Sequence, residues 1–169
     1  MVGKGAAAQG ASTGREESAV AHVWFFGAVA VLGGLFALLE VQIEGGAGWA
    51  TSLPTWRVEN RWTRLFFSRR ALTGYHLYVH LFVLGVLHLP FALGLALHSA
   101  RAEARVLAFL VFFWLAEDFL WFVVNPAYGV RGFNPRQAWW HAPTWWWIMP
   151  RDYWVFLPVG TLLYVLSCR

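Results

Sequence analysis

The chain has 169 residues, of which 59% are hydrophobic and only 13% charged, against about 25% charged in a soluble domain. With 12 Trp and 14 Phe, it is expected to be one membrane domain with no room for a second, globular one. The net charge of +4 does not imply nucleic acid, because the arginines stand in loops beside apolar segments, where they set topology and meet lipid headgroups.

The first 18 residues are rich in Gly, Ala and polar side chains and read as a disordered tail. Residues 19–169 read as a single transmembrane helical domain. The expected fold is all-α, a polytopic integral membrane bundle of four helices with interfacial Trp-rich loops. Its first span, about residues 19–43, is too long for a signal-peptide core and long enough to cross a bilayer. Glu40 and Glu44 lie at its far end. A turn-rich connector follows, with Gly45, Gly46 and Gly48 serving turns. It leads to a stretch where Trp56, Trp62, Leu65 and Phe66 interleave with Arg57, Arg61, Arg64 and Arg69, as in a short helix lying in the membrane interface.

The second span is expected over about 71–98, with Pro90 and Gly94 as kink points. His76 and His80 are four residues apart in its first turns and so share a face. After a short link, the third span runs over about 106–125 and ends at Asn125-Pro126. It carries adjacent carboxylates, Glu117 and Asp118, in otherwise apolar surroundings. An acidic residue at the centre of a membrane helix costs roughly 2.5–3.5 kcal/mol on insertion scales, so both need partners. The following loop is strongly aromatic, with Trp139-Trp140-His141 and Trp145-Trp146-Trp147. The last span, about 153–167, is short and crosses if the bilayer thins locally.

With four spans, Lys4, Arg15, Arg101, Arg105 and Arg169 share one side. Arg57, Arg61, Arg64, Arg69, Arg70, Arg131, Arg136 and Arg151 share the other. The positive-inside rule then puts the two aromatic loops in the cytoplasm and the termini outside, in a cell inner membrane.

Counted along helices rising 1.5 Å per residue, His80 lies roughly 13 Å deep and Glu117 roughly 12 Å deep from the same side. Chain topology therefore directs Glu40, His76, His80, Glu117, Asp118, Asn125 and His141 to one end of the bundle. Two imidazoles on one face with carboxylates from another helix are ligand types for zinc or iron, with His76, His80 and Glu117 as the metal set. The alternative is a hydrogen-bonded cluster that holds helices in register. His-x-x-x-His here lacks the glutamate of the metalloprotease motif. His22 and His98 sit toward the opposite surface, and His88 is mid-span without an obvious partner. No nucleophile triad and no phosphate loop is visible.

The functional expectation is an integral membrane enzyme acting on a lipid-like or isoprenoid-like substrate, with His76, His80, Glu117, Asp118 and His141 as catalytic residues and one zinc or iron ion as the candidate cofactor. A non-enzymatic membrane subunit or assembly factor is the alternative, and an ion or proton pathway the third. Expected partners are membrane lipids, and a partner subunit or second copy of the chain.

Overall fold

The computed structural model describes residues 3–66 and 70–169, with side chains from residue 19 onward except 65–69. It is mostly helical. Helix α1 is Gly3–Glu44, α2 Arg61–Phe66, α3 Gly74–Ala92, α4 Ala100–Val124 and α5 Arg151–Ser167. Two small antiparallel ladders close the loops. β1 (Arg57–Val58) pairs with β2 (Leu72–Thr73), and β3 (Trp145–Trp146) pairs with β4 (Met149–Pro150). Three segments are long and apolar enough to cross a membrane: Ala19–Glu44, Gly74–Ala92 and Ala100–Val124. Of the stretch expected as a tail, Met1 and Val2 lie outside the described residues, as do the side chains of the next sixteen.

Two boundaries differ from expectation, for local reasons. The second helix stops at Ala92 rather than near His98. Past it the chain turns, with Gly94 at φ +69° and the Leu95 and Ala96 amides donating to the Pro90 carbonyl. The third helix starts at Ala100, ahead of the expected 106. Ser99 caps it by accepting the Ala102 amide at 3.1 Å, and Ala-Arg-Ala-Glu-Ala-Arg is a run of strong helix formers. A charged run read as a link is therefore the helix's first turn and a half.

Helix α4 is central. It packs along α1 on one flank and α5 on the other, and α3 touches it only sparsely. Close approach needs small residues: a Cβ added at Gly33 of α1 would meet Ala116 Cβ at 3.3 Å and the Glu117 amide at 3.4 Å. The core has two centres. At one end Ala37, Trp121 and Phe122 pack with Ala138 and Trp140 of the aromatic loop. At the other, Phe25 and Val29 pack with Ala108 and Tyr164. The α1–α4 loop contacts are tied by Asn125, whose amide donates to the Gly45 carbonyl at 2.9 Å.

Candidate functional site

Glu40, Glu44, Glu117, Asp118, His76 and His141 gather at the end where the two long loops pack. Glu40 and Glu44 are one turn apart at the end of α1, and both are buried. Glu117 of α4 is buried too, with Glu40, Asp118 and Glu44 as its charged neighbours, and it forms no ion pair among the described residues. Tyr75 of α3 completes this group. Its hydroxyl is buried and interacts with the Glu40 carboxyl.

His76 is held by its own helix terminus. Thr73 caps α3, accepting the His76 amide at 3.1 Å, and its hydroxyl is hydrogen-bonded to His76 Nδ1 at 2.7 Å. The other ring nitrogen, Nε2, lies 3.7 Å from Glu44 Oε1. That same oxygen accepts the Ala50 amide at 2.5 Å. The His76 ring stacks on Trp49 at 4.0 Å between centroids, and the Arg70 guanidinium covers Trp49 at 4.1 Å. Arg70 donates to Asp152 at 2.9 Å. Burial pulls the Arg70 guanidinium below its ordinary value, and Asp152 opposes that. Arginine, tryptophan and imidazole thus form one column linking the first loop, α3 and the start of α5.

His80 shares the His76 face, yet its ring goes elsewhere. Its Nδ1–H donates to the His76 carbonyl at 2.7 Å and the ring stacks on Trp114 at 4.1 Å. Among the described residues no hydrogen bond or ion pair joins His80 to Glu117. Asp118, although adjacent to Glu117, belongs to a different set. It accepts His141 Nε2–H at 3.1 Å and the Tyr153 hydroxyl at 2.6 Å. His141 is 2% exposed, and its Nδ1 has no hydrogen-bond partner.

Set against family models, curated proteins and solved structures, the chain matches none.

The arrangement therefore divides the expected site in two. Asp118, His141 and Tyr153 form a hydrogen-bonded link between α4, the aromatic loop and α5. Glu40, Glu44 and Glu117 form a second group that faces α3, which brings His76 and Tyr75 to it, while the Ala50 amide donates to Glu44. Among the described residues no set of three or more His, Cys, Asp or Glu is arranged to hold a metal ion. Tyr75, Tyr153, Arg70 and Trp49 were not anticipated as site residues. Tyr75 adjoins His76 and Tyr153 opens the last helix, so a search for hydroxyls near the carboxylate depth would have found both. Trp49 and Arg70 carry no such signal, since their loops have no period. His88, expected to lack a partner, lies with Nε2 3.3 Å from Glu103, because the early start of α4 places that glutamate within reach.

Proposed function

We propose that the chain is an integral membrane enzyme that carries out acid–base chemistry on a lipid-like or isoprenoid-like substrate at the Glu40–Glu44–Glu117 group, with His76 and Tyr75 as the other proton-handling groups. One observation carries this reading: Glu117 is buried in a membrane-length helix with Glu40, Asp118 and Glu44 near it and, among the described residues, no ion pair to a base. A group kept only for stability pairs acid with base, as Asp118 does with His141. Uncompensated carboxyls in low dielectric are costly, and intramembrane ionisable residues mark functional sites by default. The loosely packed α3 supplies a side from which an apolar substrate reaches the group without crossing water. His80 and Trp114 flank that side. Asp118 and His141 are positioning residues in this scheme, fixing α4 against the loop.

The same reading takes α5 as a fourth crossing, in a cell inner membrane with both Trp-rich loops in the cytoplasm. Its 17 residues span about 26 Å at 1.5 Å per residue, a little short of the roughly 30 Å hydrocarbon core. Helix α5 runs back along α4, from Tyr153 at Asp118 to Ser167 at Arg105.

The test is incubation of detergent-purified protein with a membrane lipid extract, followed by mass spectrometry of the lipids. Glu117→Gln and His76→Ala should each lower conversion about 10²–10⁴-fold, as loss of a general acid or base does. Leu84→Ala, one turn deeper than His80, should not. Thermal stability of Glu117→Gln should stay level or rise. No lipid altered by the wild type, with Glu117→Gln less stable than it, would leave the structural-subunit reading in place. Metal analysis of the same samples separates the remaining case. Stoichiometric zinc or iron, lost in His76→Ala, His80→Ala and Glu117→Ala, would replace acid–base chemistry by metal chemistry.

A further inference from the structure

At the end of the bundle opposite the carboxyl group, α1, α4 and α5 leave a cavity of about 390 Å³ lined by His22, Arg101, Arg105, Ser167 and Cys168, among others. Arg101 and Arg105 are four residues apart on α4 and so lie on one face. Arg105 is held in place by neutral groups. Its Nε–H donates to Ser167 Oγ and its terminal nitrogen to Cys168 Sγ, both at 3.4 Å, while its guanidinium lies 5.8 Å from the Phe25 ring centroid and 5.6 Å from that of Tyr164. Neither arginine forms an ion pair among the described residues. Glu103, between them in sequence, is engaged elsewhere, with His88 at 3.3 Å and His98 at 3.0 Å. His22 contacts the Tyr164 hydroxyl through Nδ1. The first turn of α4 adds the positive end of its helix dipole.

Two positive charges without a counter-anion among the described residues therefore stand at a concave surface where α4 begins and α5 ends beside α1, in a chain whose apolar segments put that surface at headgroup level. Arginine presents parallel donors that match a phosphate, and basic pockets between membrane helices bind anionic headgroups. We propose that this cavity holds the phosphate group of an anionic phospholipid, seated on Arg101 and Arg105. The occupant ties the start of α4 and the end of α5 to the flank of α1 and is independent of the chemistry proposed for the opposite end.

The test uses full-length protein in neutral detergent, titrated with phosphatidylglycerol or phosphatidylcholine and read by native mass spectrometry. Wild-type protein should prefer phosphatidylglycerol. Arg101→Gln and Arg105→Gln should each weaken that lipid about fivefold, the effect of one basic residue at an anionic surface. The double variant should lose the preference, and Arg136→Gln, in the aromatic loop, should keep it. Arg105→Gln also removes the Ser167 contact. Arg101→Gln, whose side chain is exposed, keeps the test clear of misfolding. Cys168, the only cysteine, gives a second readout: phosphatidylglycerol should slow its alkylation in the wild type and not in the double variant. Equal retention of both lipids, or a double variant that binds like the wild type, would overturn the proposal. Protection of Cys168 by millimolar inorganic phosphate, equal to that by the lipid, would keep the arginine site and assign it to a soluble phosphate.

Discussion

Glu117 and Asp118 are neighbours in sequence with opposite surroundings, because successive helical residues point about 100° apart. Asp118 turns toward the loop and α5, where His141 and Tyr153 donate to it. Glu117 turns toward α1, where Glu40 and Glu44 lie. Removing the two side chains should therefore change stability in opposite directions. Hydrogen bonds to a charged group contribute about 1.5–3 kcal/mol in soluble proteins, whereas membrane pairs average nearer 0.6 kcal/mol. Asp118 keeps 30% side-chain exposure, which favours the lower part of that range. Asp118→Ala should cost about 1–2 kcal/mol, and Tyr153→Phe about 1 kcal/mol. A cycle with Asp118→Ala and His141→Ala should show coupling above about 0.5 kcal/mol. Additive losses in detergent unfolding would mean that the pair does not form. Glu117→Gln removes the cost of an ionisable group buried among other carboxyls and should be neutral or stabilising in the same assay, a gain that accompanies loss of function where a strained site is relieved.

At the scale of elements, the bundle depends on where α1 and α5 lack side chains against α4. A Cβ at Gly160 would lie 2.9 Å from Val111 Cγ1 and 3.2 Å from the Phe112 ring, and one at Gly33 would press on the α4 backbone. Nothing lies within 4 Å of the corresponding point on Gly27. Gly160→Leu and Gly33→Leu should each lower stability by about 1–3 kcal/mol, the usual cost of overpacking, while Gly27→Leu should stay near the wild type. Equal melting of all three would show that α4 is not gripped at these points. The helices themselves were legible in the sequence, since long apolar runs leave little alternative. Their ends were not. The Ser99–Arg105 run reads as a link in the sequence, whereas Ser99 capping and alanine content decide for helix from Ala100. Depth counting places His80 and Glu117 at one level, because a fixed rise per residue makes helical depth calculable, and chain topology adds Glu40 and His76 at that end. It could not show that His80 would turn to Trp114, or that His141 would reach Asp118. The first depends on ring packing and the second on the path of a loop after Asn125-Pro126.

At the scale of the whole molecule, the question is which helix ends share a side. His22 near the start of the first apolar segment contacts Tyr164 near the end of α5. Phe25 packs on the same tyrosine at 4.5 Å, and Arg105 in the second turn of α4 meets Ser167 and Cys168. The start of α1's apolar segment, the start of α4 and the end of α5 therefore lie together, at the end away from Glu40, His76 and Asp118. If α5 were only an interfacial helix, its last turn would lie beside its first at the level of Tyr153 and Asp118. Its contacts instead run the length of α4 between those two levels. Under the proposed four crossings, local thinning would accommodate the few ångströms by which α5 is short, with Arg151 and Asp152 at one end and Arg169 at the other where charge is tolerated. The loop side carries Arg57, Arg61, Arg64, Arg131, Arg136 and Arg151 among its cations, so the positive-inside bias favours it as cytoplasmic. Reporter fusions after Arg64 and after Arg136 should both report cytoplasm, and a fusion after Arg169 should report the opposite side. A C-terminal reporter on the same side as the loops would reduce the bundle to three crossings. Both loop reporters on the outer face, with the C-terminal one inside, would keep four crossings and reverse the orientation drawn from the arginines.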